Sequence, residues 1–285
     1  MIITFLGTSG ANAFPEAFCK CHNCQEARAL GGPSLRKRSA LLVNNDLLID
    51  LGPDIMSASQ IHGCSLSDVN YCIQTHPHAD HLDLSHLLSR SPGYGVIGAR
   101  CLNFFASDET IQIAAQTFNR DLSESHLLSP DTQKCLNLKL HTVKPLHPFM
   151  FGRYRVTAFP ANHAPTMGAM LFAVESDNRC IFYGTDTASL LEQTWQAFHQ
   201  FNMRFDVVIL DHTYGLNQSG SDHLNVHQFI EHVTRMLNEN LLSPIARAFA
   251  THIAHEGNPS HPDLVNFAKQ HGYEVAFDGL SLDVQ

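Results

Sequence analysis

Three imidazoles and one carboxylate fall within six residues, His76-Pro77-His78-Ala79-Asp80-His81. They follow an apolar run, Val69 to Thr75, that reads as a buried strand. A loop anchored on a strand end is rigid enough to place metal ligands. His76 and His78, two residues apart, can point at one ion; Asp80 and His81, around the next bend, can point at a second. The neutral imidazole nitrogen is the commonest protein ligand for a metal, and Asp adds a hard oxygen. A purification tag is equally rich in His, but a tag is terminal and has no strand before it. The spacing therefore predicts a metal site, and a catalytic one.

The elements that must position these side chains are legible from short runs rich in Val, Ile and Phe, punctuated by Gly, Pro and Asp. They predict strands near 2–6, 39–43, 46–50, 69–75, 154–159, 168–175, 179–183, 206–210, 246–251 and 273–277. Helical patterns cover 54–62, 82–89, 108–118, 189–200, 225–240 and 262–271. Asp222 suits the N-cap of the long amphipathic run, with Asn225 as an alternative start. Sheet-rich halves followed by helices suggest two packed sheets flanked by helices. No repeat or linker divides the chain, so residues 1–285 read as one domain. Residues 90–150 are the least regular and are the candidate for a lid over the site.

Four more strand ends carry a ligand type: His163 after 156–159, Asp186 after 180–183, Asp211-His212 after 206–209, and His252 after 246–250. One such residue is commonly just a polar loop side chain. Four of them beside the His76 loop make a set.

Composition limits what the set can serve. The apolar fraction of 44% with 16% charged residues is that of a globular chain with a sizeable core. No run approaches the ~20 apolar residues of a membrane span, and Met1-Ile2-Ile3-Thr4-Phe5 enters a strand pattern without a signal peptide. A soluble, cytoplasmic protein is expected. The net charge of −9 argues against extensive nucleic-acid binding, which needs a basic face. Bound cations would offset that charge locally, so a small anionic substrate is compatible with it. A homodimer stays open.

Eight cysteines without an export signal argue for reduced thiols or metal ligands. Cys19-Lys20-Cys21-His22-Asn23-Cys24 offers three thiolates in one short loop, which suits a closed structural zinc site. Three ligands are one short of a tetrahedron, and spacing does not name the fourth. Cys64, Cys72, Cys101, Cys135 and Cys180 read as small hydrophobes.

The His-x-His-x-Asp-His segment, the later His163, Thr185-Asp186-Thr187 and the final His252 stand in the order of the metallo-β-lactamase superfamily, which the chain resembles over nearly its whole length. The resemblance implies an α/β fold, a four-layer αββα sandwich with a dinuclear site in a cleft at one edge. Carried over residue by residue, His76, His78 and His163 would hold one ion, and Asp80, His81 and His252 the other. Asp186 would bridge them, and Asp80 is also counted among the catalytic residues. Two ions roughly 3.5–4 Å apart clamp a bridging hydroxide as nucleophile and stabilise charge on the attacked centre. The donors are all nitrogen and oxygen, so zinc, manganese and iron are each acceptable.

Leu6-Gly7-Thr8-Ser9-Gly10-Ala11 ahead of the cysteine cluster narrows the resemblance. So do Asn162-His163, Thr185-Asp186-Thr187-Ala188, Asp222-His223-Leu224-Asn225, Thr251-His252-Ile253-Ala254-His255 and Phe277-Asp278-Gly279. The chain is similar to the phosphoribosyl cyclic phosphodiesterases associated with the carbon–phosphorus lyase pathway. That likeness implies that His255 completes a structural zinc with Cys19, Cys21 and Cys24. It also implies that His223, at the opening of the helix, is the general acid. The function implied is metal-dependent hydrolysis of a small cyclic phosphodiester, with His223 protonating the leaving alkoxide. An acid must be imidazolium near neutral pH. A helix N-terminus disfavours that charge, so Asp222 or the substrate phosphate is expected to restore it. The alternatives on one scaffold are transfer-RNA 3′ processing, thioester or lactam hydrolysis, and a non-catalytic carrier or binding protein. The acidic balance counts against the first and the cysteine cluster against the next two. The complete ligand set counts against the last.

Overall fold

The apolar runs are continuous rather than alternating, which calls for strands covered on both faces. The computed structural model describes residues 1–122 and 125–285. One sheet takes β1 (Ile2–Gly7), β2 (Ala40–Val43), β3 (Leu47–Ile49), β4 (Tyr71–Ile73), β5 (Leu102–Ala106) and β6 (Leu138–Thr142). The other takes β7 (Phe149–Phe151), β8 (Tyr154–Pro160), β9 (Met170–Ser176), β10 (Arg179–Gly184), β11 (Phe205–Asp211), β12 (Leu242–Thr251) and β13 (Glu274–Val275). β14 (Ser281–Asp283) then returns to pair with β1. The orders are β14-β1-β2-β3-β4-β5-β6 and β13-β12-β11-β10-β9-β8-β7. The helices are α1 (His22–Leu30), α2 (Ile55–His62), α3 (Ser85–Ser89), α4 (Asp108–Asp121), α5 (Pro130–Cys135), α6 (Glu192–Gln200), α7 (Val226–Asn238) and α8 (His261–Gln270).

Side-chain alternation along each strand sorts the core into layers. Phe5, Leu41, Val43, Leu47 and Ile49 of the first sheet share a cluster with Val156, Phe172, Ile181, Val207 and Ile209 of the second. Their neighbours point outward. Leu42, Leu48, Cys72 and Phe104 join Ile55, Ile111, Ala115 and Phe118 of α2 and α4. Phe182, Val208, Leu210 and Ala250 join Trp195, Phe198, Phe229, Met236 and Leu264 of α6, α7 and α8. The result is the expected four-layer αββα sandwich. Each fully buried Phe or Leu contributes about 1.5–3 kcal/mol. These cores offset the cost of burying carboxylates and imidazoles at the sheet ends, several kcal/mol for an unpaired ion.

β3 to β6 pair in parallel, as do β10 to β13. Their carboxyl ends therefore collect at one edge, where open α/β sheets place ligands. His76 lies beyond β4, Asp186 beyond β10, Asp211 at the end of β11 and His252 just past β12.

Two readings change. Residues 90–150 were the candidate lid, but β5, α4, α5 and β6 within them extend the first sheet and its outer layer. None of the described residues in that range lines the cleft at this edge. Asp222 is not the N-cap of α7. Asn225 is: it forms a capping box in which its side chain accepts from the Gln228 N–H and the Gln228 side chain bonds the Asn225 N–H, both at 3.0 Å. Reciprocal satisfaction of two orphan donors outcompetes a single acid three residues earlier. No helix among the described residues is long and apolar enough to cross a membrane.

Candidate metal centre

The ligand atoms at the sheet edge fall into two adjoining groups. His76, His78 and His163 form one, and Asp80, His81, Asp186 and His252 the other, with all ligand atoms in each group within 4.8 Å of one another. His76 Nε2 lies 2.8 Å from His78 Nδ1, which lies 3.3 Å from His163 Nε2. His81 Nε2 and His252 Nε2 approach Asp186 Oδ2 at 2.6 and 3.0 Å. Asp80 Oδ2 stands 3.2 and 3.5 Å from the same two nitrogens. All seven residues expected as ligands are thus brought together. His81 Nε2, His252 Nε2 and Asp186 Oδ2 are nevertheless buried without a hydrogen bond. Atoms so close and so badly aligned for hydrogen bonding converge on a shared point, as ligand atoms around a cation do. The cluster is able to bind metal.

The opposite nitrogens are held by partners that fix which atom faces inward, the usual arrangement behind metal-ligating imidazoles. Thr75 Oγ1 is 3.0 Å from His76 Nδ1, and Asp50 Oδ2 is 2.7 Å from His81 Nδ1. Thr213 Oγ1 is 2.7 Å from His252 Nδ1, and the Asp222 carbonyl is 3.2 Å from His163 Nδ1. Backbone strain marks the same places. Asp50, Asp186 and His252 have φ of 70°, 53° and 57°, a region that non-glycine residues seldom occupy and that recurs at functional sites. Gly10 makes room beside them, since a Cβ there would meet the His252 ring at 3.1 Å.

Electrostatics follow from burial and from three carboxylates. Burial pushes His76 well below its ordinary range, and lowers His78 with help from His163. Burial also opposes charge on His81 and His252, but Asp186 and its neighbours more than offset this. His81 is raised well above its ordinary range and His252 up to about 10. Asp186 and Asp80 are held low despite their burial, by His252 and His81 for the first and His81 for the second. The field that draws protons to these imidazoles would draw a divalent cation in their place.

Asp50 was missed in the sequence because the strand reading ran through residue 50; β3 ends at Ile49. Its Oδ1 accepts from Gln74 Nε2, Thr75 N and Thr75 Oγ1 at 3.0, 2.8 and 2.8 Å, which leaves Oδ2 for His81. In Asp50→Asn those three donors keep the amide oxygen in place, and the amide nitrogen must donate to His81 Nδ1. The His81 proton then moves to Nε2 and blocks the inward atom. Metal affinity should fall roughly 10–100-fold with little loss of packing. Chelator competition checks this, and equal affinities for variant and wild type would remove Asp50 from the centre.

His223, expected as the acid, stands beside both groups. Its ring stacks on His252 with centroids 5.3 Å apart, and its Nδ1 lies 3.9 Å from Asp186 Oδ1. The residue sits two positions before the N-cap of α7, not within the helix. The Asp222 carboxylate is turned to the Tyr214 hydroxyl and is not among the groups that raise the His223 pKa. Asp211 is, with Oδ2 2.7 Å from His223 Nδ1. Burial opposes the imidazolium, yet Asp211 outweighs it and the His223 pKa is raised. His212, the neighbouring strand-end candidate, is a core residue. It is buried, bonds Asn258 Oδ1 and the Tyr273 hydroxyl at 2.9 and 3.2 Å, and is pushed down to about 4 by burial.

The cysteine cluster is a separate set of donors. Cys19, Cys21, Cys24 and His255 place their ligand atoms within 4.8 Å of one another, a donor set that suits zinc. His255 Nδ1 is 3.8 Å from the Cys19 sulfur and 3.6 Å from that of Cys21. Burial opposes a thiolate at Cys21, but the Cys24 N–H and His255 bring it down to about 7. Asn23 Nδ2 donates to the carbonyls of His255 and Asn258, so the cysteine loop is tied to the segment that carries His252. All eight cysteines are free of disulfides.

Solved structures share this architecture. A diphosphatase of the PhnP family superposes with a TM-score of 0.73 at 18% identity, over 99% of this chain and 97% of the other. Zn(2+)-bound PqqB from Methylobacterium extorquens gives 0.72 at 18% identity, over 99% and 100%. The short form of human tRNase Z gives 0.67 at 15% identity, over all of both chains. No curated protein matches the sequence. Residues 45–253 match the family model of the beta-lactamase superfamily domain, more than half of the sequence, and the chain belongs to the metallo-β-lactamase superfamily of metal-dependent hydrolases.

Proposed function

We propose that the protein is a dinuclear phosphodiesterase acting on a small, cyclic phosphodiester. The observation that carries this reading is the placement of Asp186 between the two ligand groups. Its Oδ2 faces His81 and His252, and its Oδ1 faces His163 at 3.8 Å. A carboxylate with diverging oxygens can serve two ions at once. We assign His76, His78 and His163 to one ion, Asp80, His81 and His252 to the other, and Asp186 to both. Zinc, manganese and iron all suit these donors. A pair of such cations would supply water activation and stabilisation of the charge on the phosphoryl oxygens.

The residues of the chain do the rest. Asp211 accepts a hydrogen bond from the Nδ1–H of His223, which orients the ring, favours imidazolium and leaves Nε2 for a substrate in the cleft. Thr213 Oγ1, 3.2 Å from the same Nδ1, donates to Asp211 Oδ1 and ties the pair to His252. An imidazolium so placed can protonate a leaving alkoxide. Two structural neighbours, a diphosphatase and a tRNase, are named for phosphate substrates, which supports chemistry at phosphorus. The net charge of −9 favours a small ester over RNA.

The test is a panel of cyclic and linear phosphodiesters, thioesters and β-lactams on metal-reconstituted protein. Turnover confined to thioesters or lactams, or no chelator-sensitive turnover at all, would overturn the reading. The acid has its own signature. His223→Ala should slow esters with poor alkoxide leaving groups by roughly 10²–10⁴-fold and largely spare those with an activated aryl leaving group. Equal losses at full metal content would make His223 a binding residue.

A further inference from the structure

The cleft beside the ligand groups has a volume of about 530 Å³. Beyond the ligands, its wall comes from the Ser9–Ala13 loop, Tyr214, Gln218, Asp222 and the segment Ala254–Gly257. None of the described residues lining it is Lys or Arg. Lys37 and Arg38, which run beside Ser9, are already engaged. Arg38 forks onto Asp54 at 2.7 and 2.8 Å, and Lys37 is 3.7 Å from Asp278. Two lining carboxylates stand outside the ligand groups, Asp222 and Glu256, and both are exposed. Glu256 Oε1 lies 3.2 Å from His255 Nε2, with half of the side chain in solvent.

Charge decides what such a cleft can take. Asp80 and Asp186 neutralise part of the charge of a divalent pair, and one phosphodiester anion takes much of the rest. A second phosphate on the substrate would find no Lys or Arg on the wall, with His223 committed to the leaving group, and would share the space with Asp222 and Glu256. Like charges sharing one cleft repel, the more so as the effective dielectric constant falls below that of water. The neutral groups on the wall, Asn12, Tyr214 and Gln218, offer amides and a hydroxyl instead.

We propose that the cleft selects phosphodiesters whose flanking group is uncharged and hydroxyl-bearing, and that Asp222 and Glu256 disfavour esters carrying a second phosphate. This rests on the phosphodiesterase reading and narrows its substrate class. It separates the chain from enzymes built for phosphorylated sugars, whose second phosphate needs a cationic partner.

The experiment compares a nucleoside 2′,3′-cyclic phosphate with its 5′-phosphorylated counterpart on metal-reconstituted full-length protein. The 5′-hydroxyl form should be favoured by roughly tenfold or more in kcat/KM, mostly through KM, with the gap narrowing as salt rises. Asp222→Asn with Glu256→Gln removes two charges at nearly constant shape. At matched metal content it should narrow the gap at least about threefold by improving turnover of the 5′-phosphate form. Glu256→Gln alone, which leaves the Tyr214–Asp222 contact in place, should move the same way if the double variant folds poorly. Equal efficiencies, or preference for the 5′-phosphate by wild type, would overturn the selectivity and leave the phosphodiesterase reading standing. A gap unchanged in both variants would remove Asp222 and Glu256 from it. Failure to turn over either ester at full metal content, with no other phosphodiester accepted, would overturn both.

Discussion

Asp186→Asn should reduce turnover by at least about 10³-fold while the fold stays intact, because losing one ion forfeits several kcal/mol of charge stabilisation. The substitution is close to isosteric, and Asn tolerates the left-handed backbone at this position, φ 53°, as well as Asp does. Backbone strain is therefore not what changes. What changes is the donor set: an amide has one neutral oxygen, and its nitrogen cannot ligate. Of the side facing His81 and His252 and the side facing His163, one keeps only a neutral oxygen and the other is left with a nitrogen that cannot ligate. Metal content and turnover should fall together, with the circular dichroism spectrum of the metal-free protein unchanged. A variant with wild-type turnover and wild-type metal content would remove Asp186 from its bridging role.

That the His and Asp side chains of the two groups would gather at one place was legible in the sequence for one physical reason. A parallel sheet puts its carboxyl ends at one edge, so a His or Asp just beyond each apolar run lands beside the others. His76, Asp186 and His252 share that signal. Asp50 carries the same signal, but a short hairpin strand and an adjacent apolar run hid where β3 stops. The partners that orient the imidazoles were less visible, since Thr75 and Thr213 look like ordinary strand-end hydroxyls until the rings pack against them. Asp211 was seen as a strand-end acid but had no role until the chain between β11 and α7 turned back to place His223 against it. In the fold, some of the missed elements carry little apolar periodicity. β6 is half-exposed at a sheet edge, and α1 begins inside the cysteine cluster with a polar, charged face. β5, by contrast, is a well-buried strand that the irregular surroundings of residues 90–150 concealed.

Cys21→Ser should remove one tightly held zinc and lower the melting temperature by on the order of 10 °C. The donors Cys19, Cys21, Cys24 and His255 join the chain near its start to the segment that carries His252, 234 residues after Cys21 in the Cys21–His255 contact. A structural zinc contributes its binding energy to folding directly. Loss of even about 3–5 kcal/mol in a chain of this size corresponds to a shift of roughly 5–8 °C. Serine isolates that contribution from another. The Cys21 sulfur also caps α1, accepting from the Cys24 N–H at 3.4 Å, and a serine hydroxyl is at least as good an N-cap. Helix capping is thus preserved, and what disappears is the thiolate. Zinc content should drop by one equivalent, and kcat for an activated aryl phosphodiester should change far less than in Asp186→Asn once the active-site metals are replenished. Unchanged zinc content, or a stability loss that persists when wild type and variant are compared free of zinc, would show that the cysteine cluster acts through packing alone.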